Sequence, residues 1–194
     1  MKIPKTKKIN KCRLCSNKKL DRIHNFGTHY VSNFVTKHNI KKGVKAPLNL
    51  VYCNHCKLLQ LKHSAPQEIM YKRFYWYRSG VTKTMKKALK DIYKSSLKHI
   101  KLYKNDVVLD IGANDGTLLK CYNKNIKTIG CEPANNLVSQ LRKNCNYVLN
   151  DFWSYNKLNS ILSKKKLKKP KIITAISMFY DLEDPNKFIR DAAL

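Results

Sequence analysis

The stretch 107–119 constrains the fold of this chain more than any other part of it. It begins with a short apolar run rich in β-branched residues, Val107–Ile111, which is typical of a parallel strand covered on both faces. Two glycines, Gly112 and Gly116, follow with three residues between them. Because glycine lets a ligand approach the backbone closely, the pattern predicts a strand, a ligand-contacting turn and then a helix.

The next acidic residue after this turn indicates what could bind there. A second apolar strand is predicted at 126–131, and it ends in Glu132, about one strand–helix–strand repeat after the glycines. A carboxylate at that place can accept both hydroxyls of a ribose, so the spacing indicates an adenosine-like ligand. The spacing G-x-x-x-G differs from the motifs of dinucleotide and nucleoside triphosphate sites, which disfavours those ligands. The alternative is a purely structural turn in another doubly wound fold.

Beyond the turn, the hydrophobic pattern alternates between helix and strand. We expect a helix at 135–143, a third strand at 147–149 and a fourth strand at 172–177. Before the first strand, apolar residues at helical spacing over 81–100 predict a long amphipathic helix whose apolar members join the core. Open α/β sheets bind ligands at the carboxyl ends of their strands. Asp151, after the third strand, is therefore placed either to accept a hydrogen bond from an adenine or to cap a helix.

Four of the seven cysteines lie in two Cys-x-x-Cys pairs, Cys12 with Cys15 and Cys53 with Cys56. Two such knuckles supply four thiolates, which can close a tetrahedral structural zinc site in a small zinc ribbon. The alternative is a redox dithiol, for which one pair would be enough. The chain between the pairs, residues 20–47, is expected to form an irregular loop.

An unusual density of aromatic residues lies between the cysteine pairs and the first α/β strand. The segment 71–80 contains Tyr71, Tyr75 and Tyr77 together with Arg78. Tyrosine hydroxyls and cations there could form a lid over the ligand cleft. The alternative is packing between the two modules, since aromatic side chains dominate cores and interfaces alike.

The formal net charge of +28 arises from 40 lysines and arginines against 12 aspartates and glutamates. Such a charge is typical of nucleic-acid-binding proteins. Only six of the basic residues are arginines, however, and the lysines occur in every segment, which favours a solvated lysine surface over a phosphate-reading face. We therefore expect no specific nucleic-acid partner, although the positive field would attract an anionic small-molecule substrate.

The N-terminal residues lack the apolar run of a signal peptide, and no stretch approaches membrane-spanning length. The cysteines are placed as metal knuckles rather than as a disulfide framework, which favours a reducing compartment. We expect a cytoplasmic protein that has no membrane partner and acts as a monomer.

The order of these motifs resembles a known family. The matching segments are the two cysteine pairs, residues 77–80, the glycine turn at 110–116, residues 130–135 around Glu132, and residues 177–180 followed by Asp184 and Pro185. Together they resemble the sugar C-methyltransferases, which are class I S-adenosylmethionine-dependent methyltransferases with an N-terminal zinc-binding domain. That family acts on nucleotide-activated deoxy-keto sugars, and the similarity covers nearly the whole chain.

The resemblance implies an α/β protein with a zinc-ribbon-like module at 1–64, a helical and aromatic linker at 65–104, and the first part of a Rossmann-like methyl-donor domain at 105–194. The remaining strands of that domain would lie beyond residue 194. In that family a base removes the proton beside a sugar ketone, and the enolate takes the methyl group from sulfur. The family's catalytic histidine segment matches nothing in this chain. The base is thus expected outside residues 1–194, and the chain alone is expected to be inactive.

The resemblance also implies roles for individual residues. Asp110 is expected near the amino group of the methyl donor, Glu132 on its ribose, and Asp151 and Phe152 beside its adenine. The expected cofactor-binding residues are Asp110, Gly112, Ala113, Asn114, Asp115, Gly116, Glu132, Pro133, Asp151, Phe152, Ser177 and Met178. Candidates for substrate contact are Tyr71, Tyr75, Tyr77 and Arg78, and the zinc ligands are Cys12, Cys15, Cys53 and Cys56. Alternative functions are a zinc-ribbon nucleic-acid-binding protein without methyltransferase activity, or a methyltransferase of another substrate class.

Overall fold

The structure is a computed structural model that describes residues 6–31 and 36–194. The chain divides into two compact units. Met1–Phe74 and Glu183–Lys187 form the first unit, and Tyr75–Leu182 and Phe188–Leu194 form the second.

The first unit is built from antiparallel strands. Its strands are β1 (Lys7–Lys8), β2 (Leu20–Tyr30), β3 (Lys45–Cys53), β4 (Leu59–Leu61) and β5 (His63–Ser64). Strands β2, β3 and β4 form one sheet in that order, while β1 pairs with β5. A 3-10 helix at Lys37–Lys42 and a π-helical turn at Glu68–Lys72 complete the described secondary structure of this unit.

The predicted irregular loop at 20–47 is wrong over β2, which is an 11-residue strand paired with β3. After Leu20 every residue of β2 is exposed, and even Ile23 and Phe26 have 53% and 51% of their surface accessible. Because neither face of the strand is buried, the sequence lacks the apolar alternation by which half-buried strands are predicted. Residues 32–35 of the predicted loop lie outside the described residues.

The second unit contains a parallel sheet and the described α-helices, except that residues 185–187 at the start of the last helix belong to the first unit. The strands are β6 (Val107–Ile111), β7 (Lys127–Cys131), β8 (Tyr147–Leu149) and β9 (Pro170–Thr174). The α-helices among the described residues are α1 (Lys83–His99), α2 (Val138–Asn144), α3 (Tyr155–Lys165) and α4 (Pro185–Ala193). The sheet order is β8-β7-β6-β9, and all three strand pairs are parallel. This is the order 3-2-1-4 that begins a doubly wound sheet. The predicted mixed α/β class and the four predicted strands are confirmed.

The central strand β6 is buried along its whole length, as its apolar sequence predicts. Val107, Leu109 and Ile111 face one side and pack in a cluster that includes Leu158 and Leu162 of α3. Val108 belongs to the cluster on the other side, together with Leu141 of α2. The sheet therefore has an apolar core on both faces.

The helix predicted directly after the glycine turn is wrong. Only a three-residue 3-10 helix, Leu119–Cys121, occurs there. Asn123 already begins the turn into β7, since its carbonyl accepts the Ile126 N–H at 3.1 Å and its side chain accepts the Asn125 N–H at 3.0 Å. Too few residues remain between the turn and β7 for an α-helix to form.

Helix α1 is confirmed, and Thr82 caps it by accepting the Met85 N–H at 3.2 Å. The expectation that its apolar residues all lie in the core is wrong, because only Leu89 of α1 is buried. Val81, just before the helix, is 70% exposed, and Leu97 is 37% exposed. The helix thus contacts the core along a narrower stripe than its sequence suggests. In the described parts of the chain, no helix has the length and apolar character needed to cross a membrane.

Candidate functional site

The four paired cysteines meet at one point of the first unit. Their Sγ atoms all lie within 4.8 Å of one another. Cys12 and Cys56 are 3.6 Å apart and Cys15 and Cys53 are 3.5 Å apart at sulfur, and none of the four is in a disulfide. Zinc–sulfur bonds of about 2.3 Å place the sulfurs of a tetrahedron about 3.8 Å apart. The donor set and its spacing therefore fit one tetrahedral zinc ion.

The two knuckles have the same backbone geometry. The N–H of Ser16 donates to the carbonyl of Cys12 at 3.0 Å, and the N–H of Lys57 donates to the carbonyl of Cys53 at 2.8 Å. Ser16 and Lys57, each just after the second cysteine of its pair, have left-handed φ values of 61° and 66°. Side chains other than glycine and asparagine adopt such angles only when the surrounding structure compensates for the strain. Here the strain allows each tight turn to direct two thiols to the same place.

A buried glutamine forms a hydrogen bond with one cysteine of the cluster. Gln60 donates from Nε2 to the Sγ of Cys12 at 3.2 Å, and its Oε1 accepts the backbone N–H and Nη1 of Arg13, both at 3.2 Å. Arg13 also donates to the carbonyl of Leu61 at 2.6 Å and to Ser64 Oγ at 2.7 Å. Sequence reasoning missed Gln60. A sequence pattern could have indicated it: Gln60 is a polar residue at the buried central position of β4, between two exposed leucines.

The pKa values of the thiols differ because the four groups lie close together, and a cation between them would allow all four to ionise. Burial raises the pKa of Cys12, but hydrogen bonds from the backbone of Cys15 and from Gln60 outweigh it and lower the pKa to about 6. A backbone hydrogen bond at Leu58 lowers the pKa of Cys56, whereas burial and the other three thiols raise it, to about 12. All four groups can be thiolates at neutral pH only when a positive ion lies between them.

The glycine turn lies at the carboxyl end of β6 in the second unit. Gly112 and Ala113 both donate their N–H groups to the carbonyl of Cys131, at 2.8 and 3.0 Å, which ties the turn to the end of β7. Gly112 has a left-handed φ of 73°, and a Cβ atom there would lie 3.1 Å from Cγ of Met178. The structure thus brings Gly112, Ala113 and Met178 together at one edge of the sheet.

Glu132 lies beside this turn and is 5% exposed. Its Oε2 accepts the Asn114 N–H and its Oε1 accepts the Ala134 N–H, both at 2.8 Å. Burial raises the pKa of Glu132, although these two hydrogen bonds lower it. Each carboxylate oxygen has a second lone pair, so Glu132 can still accept a ligand hydroxyl. Its contact with a ribose stays a prediction.

Asp110 is the second buried carboxyl group at this edge and is 4% exposed. Thr174, at the end of β9, donates from Oγ1 to Asp110 Oδ1 at 2.6 Å. Burial raises the pKa of Asp110 to about 7, the Thr174 hydrogen bond lowers it, and the charge of Glu132 raises it further. Two buried carboxyl groups whose ionised forms are both disfavoured would be stabilised by a ligand that carries positive charge.

The side chains of the turn hold the aromatic segment 75–80, which we call the aromatic strap. Asn114 Oδ1 accepts the Ser79 N–H at 2.9 Å, and its Nδ2 donates to the carbonyl of Tyr77 at 3.1 Å. Asp115 Oδ2 accepts the Gly80 N–H at 2.7 Å, and a Cβ atom on Gly80 would meet the same oxygen at 2.7 Å. The side chains of Asn114 and Asp115, predicted to contact the cofactor, therefore bind the strap.

Asn136 binds the other end of the strap. Its Oδ1 accepts the Tyr75 N–H at 2.9 Å, and its Nδ2 donates to the Tyr75 carbonyl at 3.0 Å. Sequence reasoning placed Asn136 inside a helix, whereas α2 begins only at Val138. Of the other predicted substrate-contacting residues, Tyr77 and Arg78 belong to the strap, while Tyr71 belongs to the first unit.

Gly116 has a packing role that the sequence did not indicate. A Cβ atom there would lie 2.8 Å from Cβ of Asn144 and 2.9 Å from Cδ1 of Leu141, both on α2. Asn144 also donates to the carbonyl of Asp115 at 2.6 Å. Gly116 therefore lets α2 approach the turn closely, and its contact with a ligand stays a prediction.

The remaining predicted cofactor residues lie in loops at the same ends of the strands. Asp151 forms an ion pair with Lys157 and accepts the Phe152 N–H at 2.9 Å. The alternative role of Asp151 as a helix cap is wrong, because Ser154 occupies the N-cap position of α3. Ser177, after β9, has a left-handed φ of 53°. The carbonyl of Pro133 accepts a hydrogen bond from Asn150 at 3.3 Å.

A segment of the first unit matches a described family. Residues 12–71 match the family model Methyltransf_13, whose description reads "Putative zinc binding domain". The matched segment contains all four cysteines of the cluster, which supports zinc as the metal.

A curated protein gives the second match. Over 132 residues the chain is 24% identical to C-methyltransferase NovU from Streptomyces niveus. The alignment covers 66% of this chain, whereas the chain spans only 31% of the length of that relative. The predicted resemblance to C-methyltransferases with an N-terminal zinc-binding domain is confirmed by these two matches.

Proposed function

We propose that this chain carries the zinc module and the methyl-donor site of an S-adenosylmethionine-dependent C-methyltransferase that acts on a nucleotide-activated deoxy-keto sugar. One observation carries the donor site: two buried carboxyl groups, Asp110 and Glu132, flank a glycine turn at the carboxyl ends of parallel strands. S-adenosylmethionine is a cation with a free ribose, so both features of the ligand have a matching group in the protein.

The residues present fit this donor. Asp110 would compensate the positive charge of the amino group, and Glu132 would accept the ribose hydroxyls. The backbone at Gly112 and Ala113 lies closest to the strand ends, where a side chain on Gly112 would crowd Met178. When bound, the donor supplies an electrophilic methyl group on a positively charged sulfur. The part played by these protein residues is to bind and orient it.

The substrate class rests on the resemblance and on charge. A nucleotide-activated sugar carries a diphosphate, and a chain with a formal net charge of +28 attracts anions. The match to a C-methyltransferase favours a carbon acceptor, for which a ketone must acidify the neighbouring proton. The general base for that step is not assigned among the residues of this chain. The zinc module is structural in this proposal, because four thiolates leave no position open for substrate.

The test is transfer of a labelled methyl group. The full-length protein, including the part expected to supply the base, is incubated with S-adenosylmethionine labelled in its methyl group and with a nucleotide-activated deoxy-keto sugar, and label in the sugar is measured after chromatography. We expect label in a carbon-bound methyl group of the keto sugar, and none in the matched sugar whose ketone is reduced to an alcohol. Label in a different acceptor would contradict the substrate class alone.

The charge favours a second candidate function, a zinc-ribbon protein that binds nucleic acid. Calorimetry with S-adenosylmethionine and with mixed RNA separates the two. Sequence-selective RNA binding at physiological salt, combined with no binding of the methyl donor, would favour the second candidate and exclude the first.

A further inference from the structure

The aromatic strap is held by side chains rather than by regular secondary structure. Tyr75, Ser79 and Gly80 donate their N–H groups to Asn136, Asn114 and Asp115, respectively. Backbone groups that are removed from water need such partners. The strap is thus bound in place at both ends by residues that follow strands β6 and β7.

The bond at Tyr75 has a specific chemical requirement. Asn136 accepts the Tyr75 N–H at 2.9 Å and donates to the Tyr75 carbonyl at 3.0 Å. A side-chain amide provides both a donor and an acceptor, whereas a carboxylate provides only acceptors and an alanine neither. Two hydrogen bonds to one residue fix both the position and the rotation of its backbone.

The position of that backbone, together with the side-chain torsions, sets where the Tyr75 phenol lies. Burial raises the pKa of Tyr75, and the negative charges of Asp181 and Glu132 raise it further. Hydrogen bonds also link the strap to Glu132, because Asn114 donates its backbone N–H to Glu132 and its side chain accepts the Ser79 N–H of the strap. The strap is thus linked to the sheet edge that carries the glycine turn.

We propose that Asn136 is a positioning residue: its two hydrogen bonds to Tyr75 hold the aromatic strap at the loop that follows Glu132, at the edge of the methyl-donor site. This inference rests on the proposed function. It assigns no chemical step to Asn136, which acts through Tyr75.

The test combines ligand binding with hydrogen exchange on the full chain. The probe is S-adenosylhomocysteine, titrated calorimetrically into the wild type, Asn136→Ala, Tyr75→Ala and the double variant. Asn135→Ala is the matched control, because Asn135 is the adjacent asparagine and its side chain is exposed. Hydrogen exchange at the Tyr75 amide reports the Asn136 bond directly, and Asn136→Asp, which keeps only the acceptor, provides an intermediate case.

Each net hydrogen bond changes an equilibrium by about fivefold, so loss of both is expected to weaken binding of the probe by up to roughly 25-fold. Asn136→Ala should also speed hydrogen exchange of the Tyr75 amide while amides of β6 keep their protection. The exchange rate of the Tyr75 amide in Asn136→Asp should lie between those in Asn136→Ala and the wild type. Because Asn136 acts through Tyr75, the double variant should bind no more weakly than Tyr75→Ala.

The failures of the two proposals are distinguishable. If the wild type binds the probe and Asn136→Ala binds it as tightly as Asn135→Ala does, the positioning role is wrong and the donor site stands. Additive losses in the double variant would equally show that Asn136 acts on structure in general. If the wild type does not bind the probe while the Tyr75 amide still responds to Asn136→Ala, the proposed function is wrong, and with it the role of Asn136 in it.

Discussion

Asp110 is a carboxyl group enclosed by protein at the end of the central strand, with the Thr174 hydroxyl donating to one of its oxygens at 2.6 Å. Nothing in the packing of the sheet requires a charge at that place. Burial makes the ionised form costly and raises the pKa of Asp110 to about 7. Residues that are unfavourable for the fold and lie at a sheet edge are typical of binding sites.

We predict that Asp110→Asn stabilises the protein at pH 8. The aspartate in the unfolded chain ionises with a pKa of about 3.9, whereas burial raises its pKa to about 7 in the fold. The stabilising contribution of the protonated form is thus complete below about pH 4 and is lost as the pH rises through 7. Asparagine keeps the Thr174 hydrogen bond without the charge. The free energy of unfolding, measured by urea denaturation, should rise by roughly 1–4 kcal/mol at pH 8 and by much less at pH 5.

The control for this prediction is Asp91→Asn, since Asp91 is an exposed residue that pairs with Lys87 at 3.0 Å on α1. Its unfolding free energy should change by less than about 1 kcal/mol at either pH. A lower unfolding free energy for Asp110→Asn than for the wild type at pH 8 would mean that the Asp110 carboxylate stabilises the fold.

A second prediction at this scale concerns Gln60. Wild-type protein purified without chelator should contain about one zinc per chain. Gln60→Ala removes the N–H group that donates to Cys12 Sγ and removes one of the acceptors of Arg13. Loss of a group that orients a metal ligand lowers metal affinity by about 10- to 100-fold. Competition with a chromogenic chelator measures this affinity, and the exposed Gln140→Ala is the control. Equal zinc affinities in the two variants would refute the supporting role of Gln60.

At the scale of elements, α2 approaches the sheet closely because small residues face it. A Cβ atom on Gly130 of β7 would lie 2.7 Å from Cδ1 of Leu141, and one on Gly116 would lie 2.9 Å from the same atom. Leu141 is fully buried in the cluster on that face of the sheet. The fit between β7 and α2 thus depends on the absence of two side chains.

We predict that Gly130→Ala lowers the free energy of unfolding by roughly 1–3 kcal/mol, because the added methyl group overpacks the contact with Leu141. Gly27→Ala is an informative comparison: Gly27 has a left-handed φ of 87° but no atom within 4 Å of its would-be Cβ. Its cost is therefore conformational, and a Gly27→Asn variant should recover part of it, since asparagine tolerates left-handed angles. Thermal unfolding of the three variants checks the expectations for Gly130 and for Gly27. An unchanged unfolding midpoint for Gly130→Ala would contradict the tight contact.

The elements also show which signals the sequence carries. Strand β6 was predictable because it is apolar and buried on both faces. Strand β2 was not, because its exposed residues show no alternation and its pairing with β3 consists of backbone hydrogen bonds. The helix expected after the glycine turn failed for a local reason, since Asn123 starts the turn into β7.

At the scale of the whole molecule, the two cysteine pairs and the glycine turn were enough to predict one metal-binding unit and one α/β unit. The two cysteine pairs, which have 37 residues between them in sequence, lie together in the structure as predicted. The polar contacts of Asn114, Asp115 and Asn136 with the strap were beyond the sequence, because they join residues whose separation follows no periodic pattern. Side-chain to backbone hydrogen bonds of this kind can be identified only from the structure.

The central claim is that the second unit binds S-adenosylmethionine at the edge formed by Asp110, Gly112 and Glu132. Isothermal titration of S-adenosylmethionine into the full-length protein, as wild type and as Glu132→Ala, tests it most directly, with Glu132→Gln as a variant that keeps one oxygen acceptor for the turn. We predict binding of about one donor per chain, weakened by roughly 1–3 kcal/mol in Glu132→Ala because the ribose hydroxyls lose a buried partner. No binding by the wild type, or equal affinity in a folded Glu132→Ala variant, would contradict the account.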